Sequence, residues 1–271
     1  MRGLPNGGVR DQRPTLNAPE RVNVLGVGVS AINMDQALGE IDDWVAEGRR
    51  GYVCVCNVHS VMECQRSDEL RRIFNRAGLV TPDGVPLVWL GRRHYPGMAR
   101  VYGPDLMLAE LERSPTKRHR HFLYGGGPGI GLRLAETMKS RFPGLQIAGV
   151  MEPPFAPLDT LCTPEAAAAI NASGADVVWV GVGSPKQERW MARMRPLLEA
   201  PVLVGVGAAF DFHSGTVPQA PRWMMRAGLE WLFRLASDPR RLWRRYVIDN
   251  PWFLFAVALQ GLGLKRYELQ S

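Results

Sequence analysis

A single carboxylate, Asp83, sits in the stretch Thr81-Pro82-Asp83-Gly84, directly after the short apolar segment Ala77 to Val80 and before a helix-like run from Val85 to Leu90. Open parallel sheets bind their ligands outside the carboxyl ends of the strands, so an acid at such a position is placed to serve as a general base. Asp is also a common side-chain cap of a following helix, and local sequence leaves both roles open. Asn57 and His59 leave the continuous apolar run Tyr52 to Cys56 in the same manner. They either face a ligand or cap the next helix, and if the former, two successive strands deliver polar groups to one crevice.

Three further stretches carry polar chemistry. Arg100, shortly after the Asp83 region, is either a solvated surface charge or the partner of a phosphate or carboxylate. The run Gly125-Gly126-Gly127-Pro128-Gly129-Ile130-Gly131 follows the strand-like His121 to Tyr124. A turn of this kind lets backbone N–H groups approach a pyrophosphate, or it serves tight packing. In no frame does it read G-x-G-x-x-G, and it lacks the Lys of a P-loop, so a dinucleotide-dependent oxidoreductase is disfavoured. In Gly183-Ser184-Pro185-Lys186-Gln187-Glu188, Pro185 suits the start of a helix, which brings Lys186, Gln187 and Glu188 into a first turn whose orphan amides already favour an anion. The rigid loop Glu152-Pro153-Pro154-Phe155 offers Phe155 for stacking on a base.

These residues must be positioned by a scaffold, and the pattern names its class. Strand-like runs (Val22 to Val27, Tyr52 to Cys56, Ala77 to Val80, His121 to Tyr124, Leu145 to Val150, Asp176 to Val182, Val202 to Val206) alternate with helical segments. Asn33-Met34-Asp35-Gln36 reads as a reciprocal N-cap opening a helix to about Glu47. The expectation is an α/β fold, Rossmann-like, with a mostly parallel sheet and helices on both faces. A chain of 271 residues, 46% hydrophobic and 22% charged, is ordinary for such a domain. Cys54, Cys56, Cys64 and Cys162 fit no zinc spacing and read as packed thiols.

Composition changes toward the C-terminus. The net charge is +7, and from Arg222 onward nine basic residues stand against four acidic ones. An anionic partner is therefore expected. Arg222 to Ser237 reads as one helix, with Arg222, Arg226, Glu230 and Arg234 stepping by four along one side, ended by Pro239. Pro251 to Leu264 is apolar save for Gln260 and too short to span a bilayer. It either lies in a membrane interface beside its arginines or packs Trp252, Phe253 and Phe255 on the sheet. A nucleic-acid-binding module accounts for the basic charge alone, but the aromatic run is apolar rather than interleaved with base-binding polar groups, so no nucleic acid partner is expected. The division anticipated is a disordered tail over 1–20, a catalytic α/β domain over 21–217 and a C-terminal basic and apolar helical appendage over 218–271 that associates with membrane.

Taken together the motifs resemble the WecG/TagA/CpsF glycosyltransferase family from about Val22 to about Asn250. The resemblance rests on Thr81-Pro82-Asp83-Gly84, Tyr102-Gly103-Pro104-Asp105-Leu106-Met107, Gly181-Val182-Gly183-Ser184-Pro185-Lys186-Gln187-Glu188, Gly205-Val206-Gly207-Ala208-Ala209-Phe210-Asp211-Phe212, Ala220-Pro221-Arg222 and Gly228-Leu229-Glu230-Trp231-Leu232-Phe233-Arg234-Leu235. It implies transfer of a sugar from a UDP-sugar to a polyprenyl-diphosphate-linked sugar, with inversion and without a metal or other cofactor, at the cytoplasmic face of a bacterial inner membrane. It also implies Asp83 as base, Asn57, Arg100 and Gln187 along the sugar and diphosphate, Asp211 at the uridine, and Arg234, Arg241 and Arg244 as appendage arginines that complete the site. Val55 stands where members often carry Thr, and Pro154 where an aromatic often stacks on uracil, with Phe155 as its substitute. A homo-oligomer is compatible with all of this.

Overall fold

The computed structural model describes residues 19–269, without the side chains of Arg226 and Arg241. The expected tail over 1–20 lies outside the described residues except for Pro19 and Glu20, whose carbonyl (Glu20) accepts from Ala31 N at 2.8 Å.

Among the described residues eight strands form two sheets. β1 (Arg21–Val24) and β2 (Val27–Ser30) make an antiparallel hairpin. Six strands form a sheet that is parallel throughout: β3 (Gly51–Cys56), β4 (Leu79–Pro82), β5 (Arg120–Gly125), β6 (Gln146–Met151), β7 (Val177–Gly181) and β8 (Val202–Gly205), in the order β4-β3-β8-β7-β5-β6. Helices cover both faces, which is why the central strands read as unbroken apolar runs. Tyr52, Cys54 and Cys56 of β3 join one core with Val178, Val180, Trp190 and Met191, while Val53 joins the other with Leu123, Trp179, Val202 and Val204. Cys54, Cys56 and Cys64 are buried free thiols whose burial pushes their pKa values up, as packing residues require.

The expected first strand, Val22 to Val27, is instead split by a turn at Leu25-Gly26. Leu25 adopts φ 52 and Gly26 φ 83, the double left-handed step that matches strand twist in a two-residue hairpin. The hairpin lies beside the edge strand β4, where Ser30 Oγ accepts from Val80 N at 3.0 Å and so occupies part of an otherwise open edge. The helix Met34–Glu47 opens with the reciprocal box, Asn33 accepting from Gln36 N and Gln36 from Asn33 N.

The appendage differs from the single helix expected over Arg222 to Ser237. Two short helices, Arg222–Arg226 and Glu230–Ser237, are separated at Gly228, whose φ of 72 only glycine adopts without strain. Helix Pro239–Arg244, a π-helical turn Arg245–Asp249 and helix Asn250–Gly261 follow. The last of these is held on the body of the protein. Phe253 is 1% exposed within the core, and Gln260 bridges the hairpin by accepting from Leu25 N and donating to Asn23 O, each at 3.0 Å. Its neighbours Trp252, Leu254 and Phe255 stay exposed, so of the three aromatics weighed for packing on the sheet only Phe253 is buried, because the others lie on the solvent side of the helix. No helix among the described residues is long and apolar enough to cross a membrane.

Candidate active site

The carboxyl ends of β3 and β4 form one wall of a cavity of about 490 Å³, and the appendage forms the other. From the sheet side come Asn57 and His59 after β3, Asp83 to Pro86 and Trp89 after β4, and Arg100. From the appendage come Gly228, Glu230, Trp231, Arg234, Arg245, Tyr246, Phe253 and Leu254.

Asp83 does not cap the helix Val85–Arg92. The N-cap there is Gly84, with no side-chain hydrogen bond, so the carboxylate is released toward the cavity. The turn is fixed through backbone, Asp83 N donating to Cys56 O at 2.8 Å. Arg100 reaches over it: its Nε donates to the Asp83 carbonyl at 2.5 Å, and its Nη2 lies 3.1 Å from Asp83 Oδ1 and 2.7 Å from Glu230 Oε2. The ring of Tyr102 supports the guanidinium from 4.4 Å. Burial raises the Asp83 pKa, Arg100 opposes that rise, and the charge of Glu230 adds to it. Arg100 remains firmly charged: burial lowers its pKa, but the two carboxylates raise it more.

Asn57 does both things its sequence allowed. Its Oδ1 caps the helix Val58–Arg66 by accepting from Ser60 N at 3.1 Å, and the residue also lines the cavity. His59 meets Asp249 of the appendage, Nδ1 to Oδ2 at 3.4 Å, and Asp249 is also ion-paired with Arg66. Burial and then the nearby Arg245 hold the His59 pKa down.

Of the remaining sequence candidates Arg234 lines this cavity, and the others lie along the carboxyl ends of the strands or on the appendage, outside it. Gln187 is 4% exposed; its Nε2 donates to Glu188 Oε1 at 3.1 Å, and its Oε1 has no hydrogen-bond partner among the described residues. Lys186 Nζ donates to Ala156 O at 2.9 Å and stands 4.3 Å over the ring of Phe155, which is 99% exposed. Lys186 thereby ties the loop after β6 to the turn after β7. Asp211 lies on the short helix Ala209–His213 after β8. The glycine-rich turn uses its amides internally: Gly126 N donates to Gly181 O at 3.0 Å, while Gly129 N and Leu132 N donate to Glu152 at 2.8 and 3.0 Å. The helix N-terminus expected to meet a pyrophosphate thus already holds a carboxylate. At Gly125 a Cβ would come within 2.5 Å of the Gly181 carbonyl carbon, so close strand packing accounts for that residue.

On the appendage Arg234 lines the cavity, whereas Arg244 is exposed with its guanidinium 5.6 Å over Trp243 and Arg245 takes a place in the wall. The backbone of Arg241 lies in helix Pro239–Arg244. Residues that sequence reasoning passed over are Glu230, Trp89, Arg245 and Tyr246. Glu230 read as one rung of an arginine ladder; the break at Gly228 separates it from Arg222, which pairs with Asp105 instead. Among the described residues two acid–histidine groups have metal-like spacing, Asp42-Glu110-His119 and His59-Glu63-Asp249, but arginines already pair with both, Arg113 in the first and Arg66 in the second.

Comparison with known proteins agrees with the motif order. Residues 22–267 match the glycosyl transferase WecG/TagA/CpsF family. The chain is 30% identical over 215 residues, 79% of its length and 81% of the relative's, to the N-acetylglucosaminyldiphosphoundecaprenol N-acetyl-beta-D-mannosaminyltransferase of Bacillus spizizenii. An uncapped acid at the end of a parallel strand, an arginine over it and a match across nearly the whole described chain give one conclusion: this protein belongs to the WecG/TagA/CpsF family of glycosyl transferases.

Proposed function

We propose that the protein transfers a sugar from a UDP-sugar to a polyprenyl-diphosphate-linked sugar, with inversion and without a metal. The observation that carries the reading is Asp83: a buried carboxylate at the carboxyl end of β4, free of capping duty and facing a cavity lined by Arg100, Arg234 and Arg245. The acceptor hydroxyl gives its proton to the Asp83 carboxylate as its oxygen attacks the anomeric carbon. The bond to the UDP oxygen breaks in the same displacement, so the anomeric configuration inverts. Charge growing on the departing diphosphate meets the guanidinium groups, which act without a bound cation.

A donor laid along the sheet edge accounts for the spread of the other candidates. Asn57 and Arg100 attend the sugar and diphosphate, Gln187 offers its unpartnered Oε1 beyond them, and Asp211 and Phe155 attend the uridine. From β4 to β5 is four strand steps, roughly 19 Å at the usual spacing, a span of the order of an extended nucleotide sugar. Gly125 and Gly126 leave that far end without side chains, and Lys186 holds Phe155 in place. The donor is of the N-acetylmannosamine, N-acetylmannosaminuronate or glucose type, and the activity of the Bacillus spizizenii relative favours the first.

The lipid-linked acceptor comes from a membrane. Trp89, Trp231 and Leu254 line the cavity yet keep part of their surface exposed, and Trp252 and Phe255 are exposed on the last helix. These residues, with Arg241 and Arg244 of the same appendage, dock it on the anionic cytoplasmic leaflet as a peripheral protein. The test is UDP release from a panel of UDP-sugars with lipid-diphosphate-linked N-acetylglucosamine or glucose, in EDTA, for wild type and Asp83→Asn. Acceptor-dependent release that EDTA spares and the substitution abolishes supports the reading. Undiminished turnover in Asp83→Asn overturns the assignment of the base.

A further inference from the structure

The cavity contains a second carboxylate for which the transfer has no evident use. Glu230 begins the helix Glu230–Ser237, and its side chain is 12% exposed. It is brought to Arg100 across 130 residues of sequence. Arg100 is divided between three oxygens: Nε on the Asp83 carbonyl, and Nη2 between Asp83 Oδ1 at 3.1 Å and Glu230 Oε2 at 2.7 Å. The tighter carboxylate contact is with Glu230. A guanidinium free of that contact would turn both donors onto the Asp83 carboxylate in a bidentate pair, the strongest geometry open to it. An aspartate paired in that way is a poor base.

We propose that Glu230 is a positioning residue for Asp83: by taking the tighter of the two carboxylate contacts with Arg100, and by opposing its charge, it keeps the guanidinium from neutralising the base. This rests on the reading of Asp83 given above. The groups that act electrostatically on Asp83 come from every wall. Cys56 ends β3, Arg100 and Tyr102 come from the segment that follows helix Val85–Arg92, and Glu230, Arg234 and Tyr246 come from the appendage. His59 and Arg245 complete the ionisable lining of the cavity. Two arginines thus bear on Asp83, and Glu230 is the anion set against them. Burial and then the charge of Glu230 are what raise the Asp83 pKa over the pull of Arg100. The base is therefore fully formed when the appendage presents Glu230 to the sheet edge.

The experiment compares kcat/KM against pH for wild type, Glu230→Gln and Glu230→Asp, with UDP affinity and melting temperature measured alongside. The Gln variant keeps an acceptor for Arg100 and removes the charge. Its acid limb moves to lower pH and its plateau falls roughly tenfold, as expected for a weakened base, while UDP affinity and melting temperature stay near wild type. Glu230→Asp keeps the charge, so its acid limb stays near the wild-type position even if its plateau falls. A carboxyl 13C titration of Asp83 in wild type and Glu230→Gln reads the same displacement without turnover. If the Gln variant loses rate while its acid limb and the Asp83 titration stay at wild-type positions, Glu230 only anchors the appendage and the proposal is wrong. That failure is separate from failure of the base assignment, which shows as retained turnover in Asp83→Asn.

Discussion

The polar network at the amino end of β5 and the polar groups at the carboxyl ends of β4 and β7 are satisfied to different degrees. At the amino end of β5 a chain of them is closed: Trp179 Nε1 donates to His121 Nδ1 at 3.0 Å, His121 Nε2 meets Ser114 Oγ at 2.7 Å, and Ser114 Oγ donates to the Glu110 carbonyl. Glu110 then bonds His119 and Arg113, each at 2.7 Å. At the carboxyl end the polar groups are only partly satisfied. Thr81 Oγ1 and Gln187 Oε1 are buried without a hydrogen-bond partner among the described residues, and Asp83 and Glu230 divide one guanidinium. A closed network in low dielectric adds rigidity, whereas an open one is costly and persists where a ligand completes it. The closed network at β5 serves the fold, and the open groups at the carboxyl end accord with the proposed substrate site.

Asp83→Asn tests that contrast most strongly. Turnover falls by about 10²- to 10⁴-fold, the usual worth of a general base, yet the melting temperature is not lowered. The sign follows from the raised pKa: a carboxyl whose folded value lies above its unfolded one makes the ionised native state relatively less stable as pH rises. The Asn variant therefore melts at or above wild type near neutral pH, and its advantage vanishes as pH falls toward the unperturbed 3.8. A lower melting temperature at neutral pH would make Asp83 a structural residue and erase the contrast. Arg100→Ala comes next, with about 10²- to 10³-fold lost from kcat/KM, because a donor group for the leaving diphosphate goes and Asp83 is left facing Glu230 uncompensated.

At the other end the same kind of change acts on stability alone. His121→Gln costs about 1–3 kcal/mol at neutral pH, since Trp179 Nε1 and Ser114 Oγ lose well-placed partners, while turnover per folded molecule is unchanged. Burial holds the His121 pKa down to about 3, against 6.5 for an ordinary histidine. Its contribution is thus complete above pH 6.5 and is lost as pH falls from there toward about 3. Chemical denaturation across that window should show wild type and variant converging. If instead the variant loses specific activity with its fold intact, the two ends are coupled and the contrast fails.

How far each end was legible from sequence follows from the range of the contacts. The runs of β3, β4 and β7 were readable because a strand buried on both faces has no polar alternation to confuse it. The residue after such a strand is then placed by topology alone, which is how Asp83 and Asn57 were found. The capping box at Asn33 needed only local spacing. The hairpin was missed because Leu25 adopts φ 52, for which its side chain gives no signal. The glycine-rich turn looked like a phosphate cradle because the carboxylate that fills it, Glu152, lies on the next strand's loop. Glu230 and Arg245 could not be placed while the appendage read as a regular ladder of arginines. One glycine at 228 and a π-helical turn at Arg245–Asp249 reset which faces point inward.

The smallest expected effect concerns how the open end is held together. Asp249 is buried in the π-helical turn, ion-paired with Arg66 and within 3.4 Å of His59, and so ties the appendage to the helix that Asn57 caps. Arg66 is about half exposed, so solvent weakens the pair, and Asp249→Asn costs about 1 kcal/mol rather than the several of a fully buried bridge. The loss is local, because Phe253 and the Gln260 bridge still anchor the last helix. Amides of residues 230–249 exchange faster, those of β5 do not, and KM rises a few-fold while kcat is kept, since the second wall of the cavity is less often in place. Equal acceleration at β5 would mean that the appendage and sheet unfold as one unit. In that event the two ends of the sheet would differ in chemistry and not in stability.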